Sequence, residues 1–218
     1  MAQNPVDTGT LGARERIKLE KRRRIIAAAR SIFSANVYEN ATTHAIAKRA
    51  KVANGTLFLY ARDKHELLLM VLNDELERIT EASVAALTGK VPLVEQLVAF
   101  YRPRFTFWAS NVELARAATG GIYASQAPGE AGLELARVHR RQRRLVTALS
   151  AAVEADARKR RLKLRRPAET IADAIHYLYI GELRVWLNGS KPRAAAALRR
   201  LETMFGLLVD GIAEGRRR

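Results

Sequence analysis

Cations are the side chains of this 218-residue chain with the most chemistry to offer. Arg22, Arg23 and Arg24 stand in a row, HRRQRR occupies 139–144, and RKRRLKLRR occupies 158–166. The formal net charge of +16 favours a polyanionic partner, either nucleic acid or an anionic surface. Residues 1–64 hold 13 Lys/Arg against 5 Asp/Glu, so half of the net charge falls in the first third of the chain. Runs 139–144 and 158–166 read as solvated helix ends, where cations also suit the unpaired carbonyls.

Other chemistries find no support. Without cysteine there is neither a disulfide framework nor a thiolate metal site, and the four histidines show no HExxH-like spacing. No Ser-His-Asp arrangement, phosphate loop or carboxylate pair is legible, so neither an enzyme nor a cofactor is expected. No apolar run approaches the ~20 residues that span a bilayer, and MAQNPVDTGTLGARER lacks the apolar core of a secretory signal. A cytoplasmic protein with no membrane partner is expected.

The elements that must position these charges are all helical. Apolar residues recur at three- and four-residue spacing and no strand pattern competes. About nine helices are predicted: 13–35, 43–50, 54–61, 63–88, 92–110, 112–118, 130–162, 167–188 and 192–215. Asp63 and Glu66 form a capping box, Pro103 kinks the fifth helix, and Gly120 and Gly121 end the sixth. Residues 1–12 read as a disordered arm, 13–67 as a compact three-helix unit and 68–218 as a larger helical domain.

Within the smaller unit, TTHAIAKRAKVANGTLFLYARDKHEL (42–67) has the pattern of a helix-turn-helix. A helix laid in the DNA major groove needs a second helix to brace it at a fixed angle. Ala47 is small where the two would cross. Ile46, Ala50, Val52, Leu57 and Tyr60 sit at offsets that fill the wedge between them. Lys64, just beyond, would face a phosphate strand.

These residues resemble the TetR family of bacterial transcriptional repressors over 24–67, with Phe33, Tyr38, Thr42, Ile46, Ala47, Gly55, Leu57, Tyr60, Lys64 and Leu67 matching its pattern. The resemblance implies an all-α fold with an N-terminal helix-turn-helix DNA-binding domain and a helical C-terminal ligand-binding and dimerisation domain. It implies base contacts from His44, Asn54, Gly55 and Phe58, a carboxamide such as Asn54 being able to pair with adenine. It implies phosphate contacts from Thr42, Thr56, Tyr60 and Lys64, with Arg22–Arg24 adding attraction to the backbone. Where the family usually has Gly the chain has Val37 and Lys51, and where it has a capping Ser the chain has Ala53, with Asn54 able to cap one residue later.

A DNA-reading helix pair needs a second copy to span two half-sites of an operator. Ile171, Ile175, Leu178, Leu201, Phe205 and Leu208 form apolar stripes on the last two helices and are expected at the homodimer interface. A small-molecule inducer would bind among the middle helices, lined by Tyr101, Phe105, Trp108, Tyr123, Gln142, Tyr177 and Trp186. The reading is a ligand-responsive, sequence-specific repressor. The alternative is a basic protein that coats DNA or an anionic surface without regard to sequence, which salt would displace far more readily.

Overall fold

The computed structural model describes residues 12–35, 38–124 and 132–211. Among them run nine α-helices: α1 (Ala13–Ala35), α2 (Thr43–Ala50), α3 (Asn54–Phe58), α4 (Lys64–Ala85), α5 (Leu93–Ser110), α6 (Val112–Ala124), α7 (Leu133–Arg160), α8 (Ala168–Asn188) and α9 (Ala194–Gly211). One 3₁₀ turn, Tyr38–Asn40, leads from α1 towards α2. The expected arm lies almost wholly outside the described residues, as does Val37.

Local chemistry sets the helix ends. Thr42 caps α2, its hydroxyl accepting from the Ala45 amide at 3.1 Å. Lys51 closes α2 in the left-handed conformation (φ 54°, ψ 49°), with its own amide donating to Ala47 and Lys48 carbonyls. A non-glycine residue there costs about 1–2 kcal/mol. Asp63 caps α4 by accepting from the Glu66 amide at 2.7 Å. The return half of the expected capping box differs: Glu66 Oε2 accepts from the Arg62 amide at 3.3 Å rather than from that of Asp63.

Three boundaries depart from expectation, the first being α4, which ends at Ala85 and not near 88. Helix α3 ends at Phe58, because Leu59 and Tyr60 already turn with amides donating to Thr56 and Leu57. Helix α6 continues through Gly120 and Gly121 to Ala124. A glycine inside a helix costs only about 1 kcal/mol, and Ala115 and Ala118, both fully buried, hold α6 against the core.

Helix α4 is the axle of the molecule. It packs on α1 on one side and on α5 and α7 on the other. Every residue from Glu66 to Asn73 is consequently buried. The expected division between 67 and 68 thus falls inside this one helix. Helix α5 crosses the larger part against α9, and α7 lies along α8. At the start of α7, Gly132 sits directly on the Glu66 carboxylate, and a Cβ on Gly132 would overlap it.

Candidate nucleic-acid interface and interior cavity

The first three helices build a small head around Ile25, Phe33, Ile46, Ala47, Ala50 and Leu57, all nearly inaccessible to solvent. This core turns one side of α3 inward through Leu57 and leaves Asn54, Gly55 and Phe58 exposed together. His44 is exposed near the start of α2. Ala53 occupies the α3 N-cap with no side-chain hydrogen bond, and Asn54 is already the first helical residue, so its carboxamide does not cap as expected. A Cβ on Gly55 would meet nothing within 4 Å. The fold therefore does not require glycine there, while a surface docking on α3 gains close backbone approach.

The residues expected to hold phosphates divide. Thr56 is half-buried, and Thr42 uses only its acceptor capacity in capping, so its hydroxyl proton stays free to donate. The Tyr60 hydroxyl donates to the Lys18 carbonyl at 3.3 Å, tying the turn after α3 to α1. Lys64 does not reach outward: its Nζ donates to the carbonyls of Tyr38 (3.0 Å) and Glu39 (3.1 Å) and lies 4.4 Å from the Tyr38 ring centre. It fastens the 3₁₀ turn to α4. Arg22 is likewise engaged, its Nη2 donating to Glu134 Oε1 at 2.8 Å, whereas Arg23 is exposed. The sequence reading overlooked Leu59, 81% exposed beside Phe58. Its place at the α3 C-cap is the signal, since a side chain just past a helix end escapes the helical stripe.

The aromatics expected in an effector pocket separate in the same way. Tyr101, Phe105 and Trp186 are packed into the core: Tyr101 stacks on Tyr179 with ring centres 4.4 Å apart, and Phe105 meets Trp186 edge to face at 5.5 Å. Tyr177 is 69% exposed on the outside of α8, one residue on the wrong side of the α8 stripe to face inward. The Tyr123 side chain lies outside the described residues. Trp108 and Gln142 do line a cavity of about 50 Å³, together with Leu76, Arg104, Arg141 and Tyr179 among others. Gln142 also borders an outer groove of about 370 Å³.

Two buried arginines are the surprise of this cavity. Arg104 is 6% exposed and Arg141 only 4%, although Arg141 lies in the run expected to be solvated. Arg141 follows Val138 by three residues and precedes Leu145 by four, so it occupies the inward stripe of α7. Arg104 follows Tyr101 by three residues and precedes Trp108 by four on α5, the same spacing. A cation on an apolar stripe was the available signal. Burial first, then Arg104 and Arg137, push the Arg141 guanidinium down to about 10. Burial and Arg104 push His176 down to about 4, so the ring beside the Tyr101 hydroxyl is neutral.

The apolar stripes of α8 and α9 also resolve. Ile171, Ile175, Leu201 and Phe205 are buried in the chain's own core, because the same stripes pack on α5 and α7. They are not open to a second chain. Leu178 and Leu208 are half-buried at the edge. The outward faces instead carry Tyr177, Val185 (62% exposed) and Leu207 (72% exposed).

Residues 25–71, which span the head and the start of α4, match the model of bacterial regulatory proteins, tetR family. The chain is 43% identical over 74 residues to the HTH-type transcriptional repressor KstR of Mycolicibacterium smegmatis, covering 34% of this chain and 36% of that one. It is 29% identical over 98 residues to the fatty acid metabolism regulator protein of Bacillus subtilis, covering 45% and 50%. These matches thus span between a third and a half of the relatives' length. The whole fold is similar to that of Thermus thermophilus FadR, solved with lauroyl-CoA (TM-score 0.68, 22% identity, 90% of this chain and 98% of that one). It is also similar to Bacillus subtilis FadR, solved with stearoyl-CoA (TM-score 0.61, 20% identity, 87% and 98%).

Proposed function

We propose that the chain, matched to the tetR family of bacterial regulatory proteins over residues 25–71, acts as a homodimeric, ligand-responsive repressor that reads a palindromic operator. The exposed face of α3 carries this reading. Asn54, Gly55 and Phe58 stand together on a helix braced by α2, and Gly55 serves no need of the fold itself. Asn54 reads a base edge, Phe58 and Leu59 meet thymine methyls, and His44 reaches the groove margin. Thr42, Thr56 and Arg23 contact phosphates and set register. Residues 13–67 form the reading domain and 68–218 the effector and dimerisation domain, both sharing α4.

Dimerisation uses the outer faces of α8 and α9, through Tyr177, Val185 and Leu207 with Leu178 and Leu208 at the margin. The exposed apolar area there would otherwise face water. A small molecule binding between α5, α7 and α8 changes the tilt of α4 and with it the separation of the two heads. Relatives solved with acyl-CoA thioesters support an effector of small-molecule size. A few kcal/mol of differential affinity suffices to break register with two successive grooves. Acting on an operator, the protein works in the cytoplasm.

Selection from a random double-stranded DNA pool at physiological salt tests this. Enrichment of two symmetric half-sites is expected. Retention of DNA without an enriched sequence would leave a basic DNA-coating protein as the better description.

A further inference from the structure

Donors outnumber acceptors around the interior cavity. Arg104 Nη2 donates to the Thr80 hydroxyl at 2.9 Å, which itself donates to the Leu76 carbonyl at 2.8 Å. Among the described residues Arg104 Nε and Trp108 Nε1 make no well-formed hydrogen bond, and the one hydroxyl within their reach, that of Tyr179, is shared between the Arg104 and Trp108 side chains. Among the described residues no carboxylate lines the cavity. Among the ion pairs of the described residues Arg104 takes part in none. Arg141 donates to Asn73 Oδ1 at 3.0 Å, and its nearest carboxylate oxygen, on Glu77, is 4.0 Å away on a residue also paired with Arg144.

A buried guanidinium without an anion is expensive, and two facing one small space repel each other. We propose that this cavity binds the carboxylate of a small organic acid between Arg104 and Arg141. A carboxylate matches the planar fork of an arginine, and its lone pairs can also accept from Trp108 Nε1 and Arg104 Nε, which share only the Tyr179 hydroxyl. The volume of about 50 Å³ suits it: room for roughly three or four waters at about 10–15 Å³ each, which holds a carboxyl head and no long chain. Gln142 stands where the cavity meets the outer groove, so the body of the acid passes between α7 and α8 beside it. Leu76, Leu145, Ile180 and Leu183 form the apolar wall along that way.

This deepens the effector reading above and rests on it only for its consequence. Binding itself is measured on the full-length protein without DNA, so failure here leaves operator recognition untouched. The probes are sodium benzoate and sodium octanoate, their neutral amides benzamide and octanamide, inorganic phosphate and lauroyl-CoA, at equal ionic strength. The readouts are thermal unfolding and the fluorescence of the two tryptophans, Trp108 and Trp186. At least one acid is expected to raise the midpoint and to bind at least ten-fold more tightly than its amide. Arg104→Met, which keeps the volume and removes the charge, is expected to abolish that preference. The comparison of acid with amide in the unsubstituted protein stands even if the variant fails to fold. Equal binding of acid and amide, no response to either acid, a response to phosphate or lauroyl-CoA in place of the acids, or an unchanged preference in a folded Arg104→Met would each overturn the proposal.

Discussion

Arg22 of α1 and Glu134 of α7 lie 112 residues apart and are joined by a 2.8 Å ion pair. Glu134 also accepts from Asn73 at 2.7 Å, and Asn73 in turn accepts from Arg141 at the cavity wall. An unbroken polar chain therefore runs from the cavity through α4 to the first helix of the head. Burial pushes the Glu134 carboxyl up, but hydrogen bonds from Arg22 and Asn73, with the Arg22 and Arg137 charges, outweigh it and leave it below 4.5.

Glu134→Gln is expected to destabilise the protein by about 1.5–3 kcal/mol at pH 7, the usual cost of losing hydrogen bonds to a buried charge. Because its folded pKa is depressed, this contribution is present above pH ~4.5 and is lost as pH falls through the lowered value. Urea unfolding at pH 7 and pH 3 should show the variant and parent differing at the first and converging at the second.

If the polar chain carries effector binding to the head, Arg22 and Arg141 must be energetically coupled although they do not touch. A double-mutant cycle with Arg22→Gln and Arg141→Gln, scored by operator affinity, is expected to give a coupling of at least about 0.5 kcal/mol. Additive effects would confine Arg22–Glu134 to a purely structural role.

His176 makes the protein acid-sensitive. Its pKa is about 4 in the folded chain and near 6.5 when unfolded. Its contribution is therefore complete above pH 6.5 and is lost as pH falls towards 4, by up to about 1.4 kcal/mol per unit. His176→Leu should flatten the stability profile across that window in chemical denaturation.

Glycine is expected to act oppositely at two positions of the head. Lys51→Gly relieves the left-handed strain and should stabilise by about 0.5–1 kcal/mol without touching operator affinity. Gly55→Ala should also stabilise slightly, since α3 has room for a Cβ, yet weaken operator binding at least ten-fold. Thermal unfolding and fluorescence-anisotropy titration on the selected operator separate the two.

Val185→Glu together with Leu207→Glu places charges on the outer faces of α8 and α9. Sedimentation should then show a monomer with operator affinity largely lost. Ile175→Ala, by contrast, leaves a cavity in the subunit core and should cost about 2–5 kcal/mol in stability.

The head was legible because its constraints are short-range. Thr42, Ala47, Leu57 and Asp63 act within a few residues of their partners, so spacing alone reports them. Where a residue in the head serves a distant partner, legibility failed: Lys64 turned to the Tyr38 carbonyl, and Arg22 to Glu134. In the larger part each helix has several neighbours, and an apolar stripe does not say which it meets. Ile175 and Phe205 proved internal while Tyr177 and Leu207 are external, a difference of one or two positions around the same helices. Arg104 and Arg141 are buried on apolar stripes, which charge alone does not disclose.

The seat of Gly132 on Glu66 bears on how this protein can vary over generations. Most of a surface segment tolerates replacement, but any residue larger than glycine at 132 overlaps the buried Glu66 carboxylate of α4, which must swing aside and with it shift the oxygen that accepts from the Arg62 amide. A lineage can then change its effector by altering the cavity wall, and its operator by altering α3. Position 132, one of several where α7 meets α4, has less of that freedom, since a side chain there must first move the Glu66 carboxylate.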